Sequence, residues 1–344
     1  MAQVDIHARD RRGDWQPTEL CKPAPLFVWP FRAIPFVKWL FGWPGFLFPW
    51  NALFLAIALL NWFVLMPDIA TMKSFEVGWI AILFARNLGI IVVFVGAWHV
   101  RLYIQKAQGL KFKYSGRWLA RDNPIFLFRS QVLDNVFWTM ASAIPIWTAY
   151  EAVSLWAAAN GYIPYVSWQA HPIYCTLVLL AIPIFREIHF YFIHRLIHWP
   201  PLYRTVHHLH HKNVNPGPWS GLAMHPVEHL LYFSGALVHW IVPSHPFHIV
   251  FHLQHAAIAP AGGHSGFERV VLGDGIEVKT NDYFHYLHHK YFECNYGNEL
   301  VPLDEWFRTF HDGSQRSQVW MDQRMRRRAA ATAERSARRA STQT

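Results

Sequence analysis

The chain has 344 residues, of which 53% are hydrophobic and 17% aromatic but only 15% charged, against roughly 25% charged in an ordinary soluble domain. With 18 tryptophans and long apolar runs flanked by aromatics, it reads as a membrane protein with interfacial aromatic belts rather than a soluble protein with a large core. The net charge of +9 sits mostly beside the apolar runs and at the C-terminus, with no aromatic-interleaved basic stripe for nucleic acid; Cys21, Cys175 and Cys294 are far apart, form no C-x-x-C and do not make a disulfide framework.

Residues 1–24 are polar and are expected in the cytoplasm; the first 20 lack the apolar stretch of a cleavable signal peptide. Residues 25–45 are aromatic, proline-broken and sparsely basic, an interfacial stretch rather than a span, so 1–45 forms one cytoplasmic and interfacial segment. A transmembrane region is expected over 46–170. Residues 46–66 carry no charge and are long enough to cross a bilayer. Residues 77–98 make a second span containing Arg86, a charge that must face protein or snorkel to the surface.

A basic connector follows, with Arg101, Lys106, Lys111, Lys113, Arg117, Arg121 and Arg129 against Asp122 alone. Residues 132–158 make a third apolar stretch, with Asp134 and Glu151 near its ends, and 172–193 a fourth. Residues 227–262 are apolar but studded with histidine, and are expected as a short helical hairpin or re-entrant pair. Residues 263–320 read as a cytosolic cap. The Arg-rich, Ala/Ser/Thr-rich end of the chain, 316–344 by domain division, is expected to be disordered or to lie on anionic lipid. No internal repeat is evident. Basic residues alternate: six from Arg9 to Lys38, only Lys73 at 67–76, seven at 99–131, none at 152–171. This bias puts the N-terminus, the connector, the histidine clusters and the tail in the cytoplasm, with about four spans forming two hairpins.

Three histidine clusters follow the fourth apolar stretch: His194 and His198 in HRLIH; His207, His210 and His211 in HHLHH; His285, His288 and His289 in HYLHH. Residues three or four apart share a helix face, so each cluster is expected to aim its imidazoles at one point. Eight nitrogen donors are too many for one tetrahedral zinc and suit two metal ions close together. A lone H-x-x-x-H is more often a pair of core histidines; two H-x-x-H-H boxes together are specific. His208 is turned about 100° from His207 on a helix and reads as a non-ligand. His225 and His264 are candidates to complete the sphere. His189, His229, His239, His245, His248, His252 and His255 read as packing residues, of which His248, His252 and His255 share one helical face. His7, His99, His171 and His311 do not argue as ligands. Carboxylates should orient some imidazoles: Glu187, seven residues before His194 on the same face, and Glu228, three after His225, are the candidates, each weighed against a buried carboxylate paired with Arg186 or another base.

Imidazole binds iron and zinc among the first-row metals. An all-nitrogen set leaves positions open for oxygen, and two redox metals can share the electrons that dioxygen activation needs. Such a centre at the membrane face would meet a substrate arriving from the bilayer.

With these motifs in place the chain resembles the fatty acid hydroxylase/sterol desaturase superfamily over roughly residues 170–315. The boxes HRLIH, HHLHH and HYLHH match its H-x(3–4)-H, H-x(2–3)-H-H and (H/Q)-x(2–3)-H-H, and HPVE at 225–228, HSGFE at 264–268, NYG at 295–297 and EWFRTFHDGS at 305–314 match supporting words. The second box carries an extra histidine at 208, which leaves its register open between His207 and His208. The resemblance implies an all-α integral membrane helical bundle with a cytosolic histidine-rich dimetal cap, and makes 171–315 the catalytic domain. It implies two iron ions (zinc in some purified samples) and O2-dependent hydroxylation or desaturation of a sterol or fatty-acyl lipid. Electrons would come from an external cytochrome- or ferredoxin-type donor, since the chain has no haem, flavin or iron–sulfur motif. The competing functions are a membrane zinc metallohydrolase, which would need an acid/base carboxylate such as H-E-x-x-H beside the metal, and a non-catalytic metal-binding membrane protein, whose closed site would be four-coordinate and often use cysteine.

Overall fold

The computed structural model describes residues 9, 13–273, 275–280 and 283–341. Three helices among them are long and apolar enough to cross a membrane: α2 (Leu47–Leu65), α3 (Val77–Ile104) and α5 (Pro172–Ile197). At 1.5 Å per residue the shortest is about 28 Å long, close to the thickness of a bilayer core. Much of their apolar surface points outward, as at Phe63, Val93 and Leu177, which suits lipid as solvent. Ahead of them α1 (Ala33–Phe41) has no buried residue and exposes Ile34, Val37 and Phe41 beside Trp29, the surface expected of an interfacial helix.

The third apolar stretch is one continuous helix, α4 (131–159). Ser130 caps its start by accepting from the Leu133 N–H, and it ends at Asn160. It carries a buried polar stripe, including Asp134, Asn135, Thr139, Ser142, Thr148, Glu151 and Ser154, which lowers its apolarity below that of the three spans. This face turns inward. Arg86 of α3 meets Glu151 there in a buried ion pair, and Asn87 donates to the second carboxylate oxygen of Glu151 at 3.0 Å. The charge in the second span thus faces protein, with a full set of partners.

The segment 227–262 forms a helical hairpin, but a deep one. α7 (Pro226–Phe233) runs on as a 3-10 turn, Ser234–Trp240, and α8 (Pro246–Ile258) returns. The bend is tied to the α4–α5 loop, where the Ser244 N–H donates to Pro164 O at 3.1 Å. All thirteen residues of α8 are buried, because it packs against α2, α3, α4 and α5 together. A helix apolar on every side belongs inside a bundle. Its histidines and Gln254 depress the hydropathy that would otherwise have marked it.

Above one end of the bundle lies the cap: α6 (200–211), the antiparallel strands β1 (Arg269–Gly273) and β2 (Ile276–Lys279), and α9 (Tyr283–Tyr291). The tail, expected to be disordered or to lie on anionic lipid, is helical over α10 (Gln315–Ser341); its Ala, Arg, Gln and Glu content is strongly helix-forming.

Candidate metal centre

α5 ends where Pro200 and Pro201 forbid continuation, leaving His194 in its last turn and His198 just past it. The same prolines open α6, which carries His207, His210 and His211. α9 is buried along nearly its whole length and carries His285, His288 and His289. His264 follows the turn Pro260–Gly263 at the inner end of α8.

These nine imidazoles form two groups, His194, His198, His207, His211 and His288 in one and His210, His264, His285 and His289 in the other, with the nitrogens of each group within 4.8 Å of one another. Each H-x-x-H-H box is therefore divided. The pair four apart (207/211, 285/289) goes to one group and the odd histidine (210, 288) to the other. Neighbouring residues on a helix diverge by about 100°, so a doublet opens onto two sides. The expectation that each box aims at a single point is corrected on that ground.

Within the first group Nε2 atoms lie 3.2 Å apart for His194–His207 and 3.1 Å for His198–His207, His198–His211 and His198–His288. The His211–His288 separation is 3.0 Å. In the second group the separations are 3.3, 3.0 and 3.2 Å from His264 to His210, His285 and His289. Octahedral ligands at about 2.1 Å from a metal stand roughly 3.0 Å apart along an edge, tetrahedral ones roughly 3.4 Å. Most of these spacings fit the former, and five donors exceed a tetrahedron.

The outward nitrogens decide what the inward ones are. The Nδ1 of His194 donates to Tyr296 O at 2.6 Å, that of His288 to Cys294 O at 2.6 Å and that of His264 to Pro260 O at 3.0 Å. Backbone carbonyls only accept, so these rings carry their proton on Nδ1 and present a bare lone pair at Nε2. Burial holds the His207, His210, His211, His264, His285, His288 and His289 pKa values below the ordinary range, which disfavours imidazolium. Neutral lone pairs converging at about 3 Å repel unless a cation sits among them. The donor set fits two metal ions.

His207 is braced by Glu228, whose Oε1 lies 2.8 Å from its Nδ1; the HPVE word thus supplies the orienting carboxylate. Glu187 does not touch an imidazole. Its carboxylate accepts the Asn298 backbone N–H at 2.6 Å and the Asn298 side-chain amide at 2.9 Å. The loop 294–298 comes between Glu187 and His194 and presents the carbonyls of Cys294 and Tyr296, which helix phase alone could not foresee. Asp304, not singled out in the sequence, accepts the N–H groups of Tyr296 and Gly297 at 2.9 and 2.7 Å. A Cβ on Gly297 would stand 3.2 Å from Asp304 Oδ2 and 3.3 Å from Glu187 Oε1, which accounts for the glycine of NYG. The glycine of HSG, Gly266, has φ +77 and no room, with Tyr103 Oη 2.6 Å from a Cβ placed there.

His264 joins the second group, as the HSGFE word suggested. His225 joins neither: it caps α7, its Nδ1 accepting from the Val227 N–H at 3.2 Å. His208 is exposed, which resolves the register of the second box in favour of His207. The Cys294 side chain is buried with its Sγ directed at Leu287 O, a packing role. A small cavity of ≈ 50 Å³ adjoins the centre, with Arg186, Phe190, Met224, Glu228 and Tyr232 among its walls.

Residues 178–309 match the family model described as fatty acid hydroxylase. Among curated proteins the chain is 33% identical over 128 residues to a Delta(7)-sterol 5(6)-desaturase of Gibberella zeae, covering 36% of this chain and 38% of that one. It is 29% identical over 224 residues to one of Aspergillus fumigatus, covering 63% and 58%, and 30% identical over 172 residues to one of Candida glabrata, covering 47% and 45%. The alignments thus span between 38% and 58% of the length of these relatives. No solved structure matches the chain.

Proposed function

We propose, from the match to the fatty acid hydroxylase model over residues 178–309 and the likeness to sterol desaturases, that the chain is an O2-dependent, di-iron lipid oxidoreductase of the fatty acid hydroxylase/sterol desaturase superfamily that hydroxylates or desaturates a sterol or fatty-acyl C–H bond. The observation that carries the reading is the convergence of nine imidazoles in two groups, eight of them buried and His198 half-buried, three with Nδ1 committed to backbone carbonyls. His194, His198, His207, His211 and His288 would hold one iron, and His210, His264, His285 and His289 the other. Two irons, when bound, supply the redox capacity to activate dioxygen and to remove hydrogen from an unactivated C–H bond.

The chain's own residues prepare that chemistry. Glu228 fixes the ring of His207 and raises its basicity through the Nδ1 hydrogen bond. Glu187 and Asp304 hold the 296–298 backbone, and through it the ring of His194. Phe190, Met224 and Tyr232 line the adjoining cavity and exclude bulk water. The catalytic domain is assigned to 171–315, with the helical bundle of 46–170 as its membrane frame. The site faces the cytoplasm, where an external cytochrome- or ferredoxin-type carrier supplies electrons. A zinc hydrolase is disfavoured by the absence of an H-E-x-x-H in the sequence, and a closed structural site by the number of donors.

Metal analysis of the detergent-purified protein, expressed with ample iron, tests this. The expected result is about two irons per chain, lost in His288→Ala, with reductant-dependent O2 uptake on a suitable lipid. Stoichiometric zinc, or full metal content and turnover in His288→Ala, would sink it.

A further inference from the structure

Of the arginines in the membrane-spanning helices α3 and α5, Arg101 and Arg195 lie in the last turn of their helix, whereas Arg86 and Arg186 lie well inside; of these two only Arg86 is fully partnered. Arg86 bonds Glu151, Asn87 and the Met66 sulfur. Arg186 makes no ion pair among the described residues, although the neighbouring Glu187 carboxylate is near enough to attract it. Its one side-chain hydrogen bond among them runs from Nη1 to Tyr232 Oη at 3.2 Å, and its buried Nε has no partner. Tyr232 is itself fixed, donating to Ala256 O at 2.7 Å. A cation at this depth costs several kcal/mol unless something compensates it, and such residues are functional by default.

Its position says what that something is. Arg186, Phe190 and His194 follow one another at intervals of four, so one face of α5 leads from the guanidinium past a phenyl ring to the metal centre. All three line the cavity beside the centre. Tyr232, which anchors the guanidinium, is four residues along α7 from Glu228, about 6 Å, and Glu228 holds His207. The unmet donors therefore face the cavity that the histidine groups also line, with Arg186 two helical turns, about 12 Å, before His194 along α5.

We propose that Arg186 is a specificity-determining residue for the lipid: it binds an oxygen acceptor of the substrate, a hydroxyl or a carboxylate. This rests on the oxygenase reading for the word substrate, but the recognition itself does not need the metals. A guanidinium offers a forked set of donors suited to oxygen acceptors.

The test is equilibrium binding to the full-length protein in lipid nanodiscs. The probes are a fluorescent 3-hydroxysterol with its 3-deoxy analogue, and a fluorescent long-chain fatty acid with its methyl ester. One charge-assisted hydrogen bond predicts that the wild type prefers the oxygen-acceptor member of a pair by about tenfold or more. A preference in the sterol pair identifies a hydroxyl ligand, and one in the acid pair a carboxylate; either upholds the proposal. Arg186→Gln should abolish the preference and Arg186→Lys retain part of it. Tyr232→Phe, a near-isosteric change, should weaken it should Arg186→Gln fail to fold. His288→Ala should keep it, so that loss of the metals with the preference intact discredits the oxygenase reading alone. No preference in either pair, or a preference that survives Arg186→Gln, overturns the proposal.

Discussion

Two sets of buried histidines lie within this bundle, and they differ in how each ring uses its two nitrogens. In the nine-imidazole centre the inward Nε2 atoms crowd together while four of the Nδ1 atoms are committed outward, those of His194, His288, His264 and His207 to Tyr296 O, Cys294 O, Pro260 O and Glu228. Along α8 the second set has its nitrogens shared out singly. His239 bonds Ser244 Oγ at 2.8 Å through Nδ1 and His252 Nδ1 at 3.1 Å through Nε2. His248 bonds Cys175 O at 3.0 Å, and His255 bonds Asn51 Oδ1 at 2.9 Å. Both sets are buried and both occur at helical spacing. A metal group needs several lone pairs aimed at one point; the α8 set bonds its partnered nitrogens to separate neighbours, with His255 Nδ1 left without one, and among the described residues it forms no group of three. The first set is built to receive cations, and the second cross-links helices inside a membrane.

The sharpest way to break this contrast is at its newest member. His264 is the only histidine of the second group outside the boxes and meets all three others. His264→Ala should cut metal content from about two ions per chain to about one and eliminate turnover. His225→Ala, which removes a helix cap, should leave metal content unchanged. Equal metal loss in both, read by elemental analysis, would mean that the division into two groups is wrong.

A smaller effect is expected at Glu228. Glu228→Gln removes the charge but keeps the shape, so the His207 ring stays in place with a weaker acceptor behind it. Orienting partners of this kind are worth roughly 10–100-fold in metal affinity or activity. Competition with a chelator should show His207's group releasing metal that much more readily. Glu187→Gln should show less, because Glu187 reaches His194 only through the loop 294–298.

These outcomes bear on what the sequence could reveal. The box histidines were legible because H-x-x-H-H twice over has no common structural explanation, and His264 and Glu228 because they sit in short words that keep company with the boxes. The failures have physical causes. Glu187 shares a helix face with His194, but face-sharing says nothing about a loop that arrives from more than a hundred residues away and takes both as partners. The single aim assigned to each box ignored the angle between adjacent residues. The hairpin at 227–262 was hard to weigh because its histidines lower the apparent hydropathy of α8, the most enclosed helix in the bundle. The partnering of Arg86 could be expected from the cost of its charge; the partner, Glu151, could not, since the two are 65 positions apart.

The smallest expected effect lies in the α8 set, and there the comparison is most exposed. His239→Phe leaves Ser244 Oγ and His252 Nδ1 each short of a partner inside the bundle. Hydrogen bonds between membrane helices average roughly 0.6 kcal/mol and reach at most about 1.7 kcal/mol, so the variant should lose about 1 kcal/mol in denaturant unfolding and retain its full complement of metal. Its O2 uptake per metal should match the wild type. His239 also bonds Ser244, which the loop tethers to Pro164, and its partner His252 sits in the middle of α8, so any loss of metal has to pass along the second half of α8 to His264. A fall in metal stoichiometry at unchanged stability would show that the two histidine sets act as one system, and that satisfied nitrogens are no guide to a structural role in this bundle.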